Sequence, residues 1–212
     1  MSENFAFALL AFTSFFTLMN PIGVMPVFMT MTGSLNDTQR RHTAQKAVVV
    51  AFATLIIFAF SGQLLFKFFG ISADSFRVVG GIIFFLMGQD MLHARIGKIK
   101  VTEMEIKEYV TDISITPLAI PMICGPGAIT NAIVLMEDAE TFSKKAILFG
   151  IMFLVCLITF LTLWSSSRFI NLLGDTGNKI LMRLMGLIVM VIAVEFFFSG
   201  LSPILRRILK ME

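Results

Sequence analysis

The chain has 212 residues, of which 57% are hydrophobic and 15% charged, with a mean hydropathy of +0.87. A soluble domain carries about 25% charged residues and lacks repeated apolar runs of 18 or more, so the composition excludes a soluble globular fold and specifies an integral membrane protein. The net charge of +3 comes from polar links and gives no reason to expect a nucleic-acid partner.

In chain order, six apolar spans are expected, at about 5–31, 44–69, 76–94, 114–136, 144–169 and 177–200. Each is long enough, at about 1.5 Å per residue, to cross a hydrocarbon layer about 30 Å thick. The first begins near Phe5 without a basic leader and is too long for a signal-peptide core, so it reads as a retained span. It contains Asn20-Pro21-Ile22-Gly23-Val24-Met25-Pro26, which no unbroken helix accommodates, because proline removes an N–H donor and clashes with the preceding turn. A polar link with Gly33, Ser34, Asn36 and Asp37 leads into the second span, and Arg77 stands at the entrance of the third. The longest hydrophilic stretch, about His93 to Asp112, mixes Lys98, Lys100, Glu103, Glu105, Lys107 and Glu108, and reads as a surface helix joining two halves.

The fourth span opens on Thr116 to Asn131, which holds Pro117, Pro121, Pro126, Gly125 and Gly127. In hydrocarbon every backbone group freed by such a break must find another partner, so a break survives only where protein or a water-filled cavity surrounds it. The fifth and sixth spans are uninterrupted apolar runs; the sixth contains Glu195, and the third ends on Gln89 and Asp90. Cys124 and Cys156 both lie in apolar segments and read as small packing residues.

The halves repeat. Arg77-Val78-Val79-Gly80 before Gln89 matches Arg183-Leu184-Met185-Gly186 before Glu195 at an offset of 106, and Pro21 matches Pro126 at 105, which aligns Asn20 with Gly125. With three spans per half, the second half starts on the opposite side of the membrane. The expected fold is therefore all-α, six transmembrane helices in two inverted-topology repeats. The first repeat covers residues 1–94, a polar linker 95–113 and the second repeat 114–212, with helices 1 and 4 broken. Such paired breaks place a transporter's binding site near the bilayer midplane. Basic residues number ten on the side of links 1–2, 3–4 and 5–6 against seven on the other, which favours both termini outside the cytoplasm.

The runs Asn20–Phe28 and Pro117–Thr130 resemble those of the MarC family of bacterial and archaeal inner-membrane proteins, and the resemblance extends over the length, span number and motif placement of the whole chain. It implies the cytoplasmic membrane as location and, since some members carry small neutral amino acids, glycine or alanine as substrates.

The residues themselves agree with such a ligand. A zwitterion presents a carboxylate to half-helix N–H groups and an ammonium to freed carbonyls. Asn20, Pro21, Gly23, Gly125, Pro126, Gly127, Thr130 and Asn131 are the expected substrate-binding positions, with Thr17 a weaker one. The competing reading makes Asn20 and Thr130 mere partners for backbone groups that the prolines release. Glu195 and Asp90 are the positions for proton or ion coupling, against a reading as interface carboxylates. Arg77 and Arg183 stand at span entrances, where snorkelling to headgroups is expected over the competing reading as substrate-binding residues.

His42 and His93 lack the spaced partners of a metal site, and no nucleotide or nucleophile motif occurs, so neither metal, cofactor nor enzymatic activity is expected. A membrane enzyme on a lipid-linked substrate and a non-transporting assembly or regulatory protein are the competing classes. Self-association into a homo-oligomer is left open.

Overall fold

The computed structural model describes residues 3–93 and 106–209. Its elements are α1 (Glu3–Met19), α2 (Pro21–Met31), α3 (Asp37–Phe69), α4 (Ala73–Leu92), α5 (Ile106–Ile113), an irregular proline segment (Ser114–Ile123), α6 (Pro126–Asp138), α7 (Phe142–Ser165) and α8 (Ser167–Leu209), with no strand among the described residues. Five spans are long and apolar enough to cross a membrane, and the bent pair Val110–Ile123 with Pro126–Asp138 makes a sixth. Of the polar linker, 94–105 lies outside the described residues; the part that follows is α5, where Thr111 Oγ1 accepts a hydrogen bond from Lys46 Nζ at 2.9 Å.

The core is built from α1, α2, α3, the proline segment, α6 and α7. Phe15 and Met19 of α1, Val27 and Phe28 of α2, Leu55 of α3, Ile123, and Leu148, Met152 and Leu163 of α7 are fully buried in one cluster. Helix α3 presents Ala44, Ala47, Ala51, Ala59 and Gly62 to this core. The small stripe permits the close approach on which helix association in lipid depends, where hydrophobicity supplies no drive of its own. A Cβ on Gly62 would lie 2.3 Å from Ile133 Cδ1 of α6. On the outer faces Val49, Ile57, Phe60, Leu64, Phe153 and Leu161 are exposed, as lipid-facing residues should be.

Helices α4 and α8 form a separate antiparallel pair packed through glycines. Cβ atoms added at Gly81 and Gly88 would meet the backbones of Ala193 and Gly186 at 2.7 and 2.8 Å, and one at Gly200 would meet Asp74 O at 2.5 Å. The end of α8 is tied to the start of α4 by Arg207 Nη2, which donates to Asp74 Oδ2 at 3.2 Å. The start of α1 meets the start of α7 through Lys144 Nζ and Glu3 Oε2 at 3.8 Å.

One expectation is corrected here. The sequence placed a polar link between the fifth and sixth spans, with the sixth at 177–200. The structure shows only a break at Ser166, followed by one 43-residue helix, Ser167–Leu209, within which Gly186–Leu209 is long and apolar enough to span. Gly174 and Gly177 each cost a helix about 1 kcal/mol relative to alanine, too little to end it.

Candidate functional site

The first break is a single residue. Asn20 takes the left-handed backbone conformation, φ 43°, which asparagine tolerates better than other non-glycine residues. Its N–H still reaches Phe16 O at 3.0 Å and its carbonyl accepts from Val24 N at 3.1 Å. Pro21 follows at the first position of α2, where a missing N–H costs nothing. Asn20 Oδ1 accepts from Gly23 N at 3.1 Å and so caps α2. Gly23 gives the carboxamide room, since a Cβ there would lie 2.2 Å from Asn20 Nδ2 and the side chain would have to shift.

The second break is longer. Thr116 (φ −127°, ψ 121°) and Ile120 (φ −125°, ψ 120°) are extended, the conformation a following proline imposes, and the peptide bonds to Pro117 and Pro121 are cis. Cys124 N recovers Ala119 O at 2.8 Å. Gly125 is then the N-cap of α6 in extended conformation, with Pro126 at the first helical position, as Pro21 is in α2. Glycine has no side chain to cap with, and no cap hydrogen bond is made. A Cβ on Gly125 would stand 2.6 Å from Pro121 O.

Two cavities adjoin the breaks. A larger one, about 430 Å³, is lined by Thr17, Asn20, Gly23, Phe84, Met122 and Ile192 among others. A smaller one, about 230 Å³, is lined by Arg77, Gly127, Thr130, Asn131, Val134 and Ser199. Leu18 and Phe196 line both, and Phe196 stacks on Phe84 with ring centres 5.7 Å apart. A Cβ on Gly127 would lie 3.0 Å from both Leu18 Cδ2 and Phe196 Cζ. The residue two before Asn20 is thus pressed against the first turn of α6, and the two breaks share one partition.

Of the expected substrate positions, Asn20 and Gly23 line the larger cavity, and Gly127, Thr130 and Asn131 the smaller. Pro21, Gly125 and Pro126 are buried beside them. Asn131 Nδ2 donates to Ser14 Oγ of α1 at 3.0 Å. Thr43, Thr54, Thr159 and Thr162 each donate to the carbonyl four residues earlier. Thr130 does not: its Oγ1 is buried and makes no hydrogen bond.

Glu195 and Asp90 are exposed on the α4/α8 pair and line neither cavity. Arg183 is likewise exposed. Sequence reasoning missed Leu18, Phe84 and Phe196, which nothing distinguishes from the other apolar residues of a chain with 23 phenylalanines. It favoured headgroups over substrate for Arg77, which lines the smaller cavity.

Five to six apolar spans, with two proline breaks beside half-open cavities, define a multi-pass integral membrane protein. Residues 5–205 match the profile of the MarC family integral membrane proteins. The chain is 39% identical over 194 residues to a UPF0056 membrane protein of Methanocaldococcus jannaschii, covering 91% of this chain and 95% of the relative. It is 36% identical over 202 residues to another from Pyrococcus horikoshii (95% and 98%), and 35% identical over 202 residues to one from Bacillus subtilis (93% and 95%). No solved structure matches it. The chain belongs to the MarC family.

Proposed function

We propose that this protein is a secondary transporter, not an enzyme, that moves a small neutral amino acid such as glycine or alanine across the cytoplasmic membrane by alternating access. The observation that carries this reading is the pair of half-helix N-termini, at Asn20-Pro21 and Gly125-Pro126, each set inside the bundle against a cavity. Interrupted helices of this kind expose backbone dipoles to a ligand at membrane depth, which an uninterrupted span cannot do.

The two cavities meet at Leu18 and Phe196, an arrangement suited to a site that opens first to one side and then to the other. The glycine-packed α4/α8 pair, which carries Phe84 and Phe196, is the body that rocks. The offset repeats support an inverted-repeat origin for the two interrupted spans, and the basic-residue bias supports termini outside the cytoplasm.

Radiolabelled glycine and alanine flux in proteoliposomes, with and without a pH gradient, tests the proposal. Substrate-dependent counterflow is expected; no flux of either amino acid through demonstrably folded protein rejects it. Glu195 lies within the sixth span, and a proton route through it has its own test. Glu195→Gln should abolish pH-driven uptake and leave counterflow intact, whereas unchanged pH dependence removes Glu195 from the coupling.

A further inference from the structure

The smaller cavity has a chemistry of its own. Arg77 is the one charged residue among those lining it. Its guanidinium lies 3.7 Å from Asp74 Oδ1, but the same carboxylate is held by Arg207 at 3.2 Å. Two guanidinium groups share one carboxylate, so the cluster beside the cavity keeps a net positive charge. The Arg77 side chain is about a third exposed, and a cation that lines a membrane protein's cavity with charge to spare is expected to meet a ligand.

Across the cavity from α4 stands the first turn of α6. Gly80, one helical turn after Arg77 and on the same face of α4, packs so closely on Pro126 that a Cβ there would lie 2.1 Å from Pro126 Cγ. That contact holds Arg77 close to the α6 N-terminus. The N-terminus has no side-chain cap, because its cap residue is Gly125, and Gly127 of its first turn lines the cavity, so the positive end of the helix dipole lies beside it. Independently, Thr130 Oγ1 is a buried hydroxyl without a hydrogen-bond partner, on a residue that lines the same cavity. A buried unsatisfied hydroxyl is costly to keep. A cation, an open helix N-terminus and a spare hydroxyl all call for a small anion with acceptor oxygens.

We propose that Arg77, Thr130 and the first turn of α6 form a carboxylate subsite, which holds a small monocarboxylate with Arg77 as its charge partner and Thr130 as a hydroxyl donor. The subsite deepens the transport reading by fixing which end of the amino acid this cavity holds. It also makes a claim that stands apart from transport, since acetate should occupy it without any ammonium group.

The test uses the full chain in detergent, with ligand-dependent shifts of the thermal midpoint for glycine, acetate, methylamine and inorganic phosphate. Glycine and acetate should raise the midpoint, and methylamine should not. Arg77→Gln should raise the half-saturating concentration of both at least about 10-fold, and Thr130→Val about 3- to 10-fold, as the loss of charge-assisted hydrogen bonds predicts. Should Arg77→Gln fail to fold, Arg77→Lys, which keeps the charge but not the two-pronged fork, should still weaken both about 3-fold. Thr130→Val should in addition raise the midpoint of the ligand-free protein, the opposite of what loss of a structural hydroxyl does.

A wild-type protein insensitive to acetate and glycine, protection by phosphate in place of acetate, or half-saturation unchanged in the Arg77 and Thr130 variants overturns the subsite. Glycine flux that persists at wild-type affinity in those variants rejects the subsite and keeps the transporter. Acetate protection lost in the variants, with no amino acid flux in the parent, rejects the transporter and keeps the subsite.

Discussion

The two interrupted spans place proline at the same helical position, yet their half-helix N-termini are in opposite states. At the first break Asn20 turns through the left-handed region and caps α2 with its own carboxamide. The second break leaves α6 capped by a glycine that offers no acceptor, with an unpartnered threonine one turn further on. A proline at the first helical position therefore does not by itself make a binding site. The residue before it decides whether the N-terminus is closed by the protein or left for a ligand, a difference worth about 1 kcal/mol of capping in water and more in hydrocarbon.

Substitutions at the two cap positions should break this comparison most strongly. Gly125→Val drives a Cβ against Pro121 O, 2.6 Å away, and a backbone oxygen yields less than a side chain does. The cost should reach the upper range for overpacking, about 3 kcal/mol, seen as a lower thermal midpoint in detergent. An unchanged midpoint would show that the proline segment is free to move aside. Asn20→Ala loses the cap and puts a Cβ residue at φ 43°, so about 2 kcal/mol is expected from the same measurement. Equal stability of variant and parent would mean that the left-handed turn is not held by Asn20.

The architecture was legible because membrane burial acts on whole segments. Apolar runs located the candidate spans, and the proline and glycine clusters located both breaks, since in lipid such residues have few places to be. The state of each break was not legible. Asn20 and Thr130 both looked able to serve either the backbone or a ligand. The side-chain geometry that separates them, an acceptor on Gly23 N in one case and no partner in the other, is set by packing. Arg77 looked like a headgroup anchor because its neighbour Gly80 gives no sign in the sequence that it will pack on Pro126. Between the fifth and sixth spans, Gly174 to Asn178 have loop composition and stay helical, since weak helix formers cost too little to end a helix.

Two smaller effects sharpen the contrast. Thr130→Val removes a buried hydroxyl that has no partner and should stabilise the ligand-free protein by about 1 kcal/mol, the lower part of the cost of an unsatisfied buried polar group. A fall in the thermal midpoint would show instead that the hydroxyl supports the fold, and that α6 is no more open than α2.

The smallest effect is expected at the other break. Asn20→Gly keeps a residue that adopts positive φ without strain, and glycine replaces asparagine as an N-cap at a loss of only a few tenths of a kcal/mol. Its midpoint should therefore lie close to that of the parent and well above that of Asn20→Ala. The variant also converts the first break to the cap type of the second, with Pro21 still in place and the N–H of Gly23 now freed toward the larger cavity. If an open N-terminus is what distinguishes the second break, acetate protection of Asn20→Gly should show a second, weaker saturable phase that survives Arg77→Gln. A single phase, abolished by Arg77→Gln, would show that an uncapped helix end is not enough and that the cation of α4 decides where the anion binds.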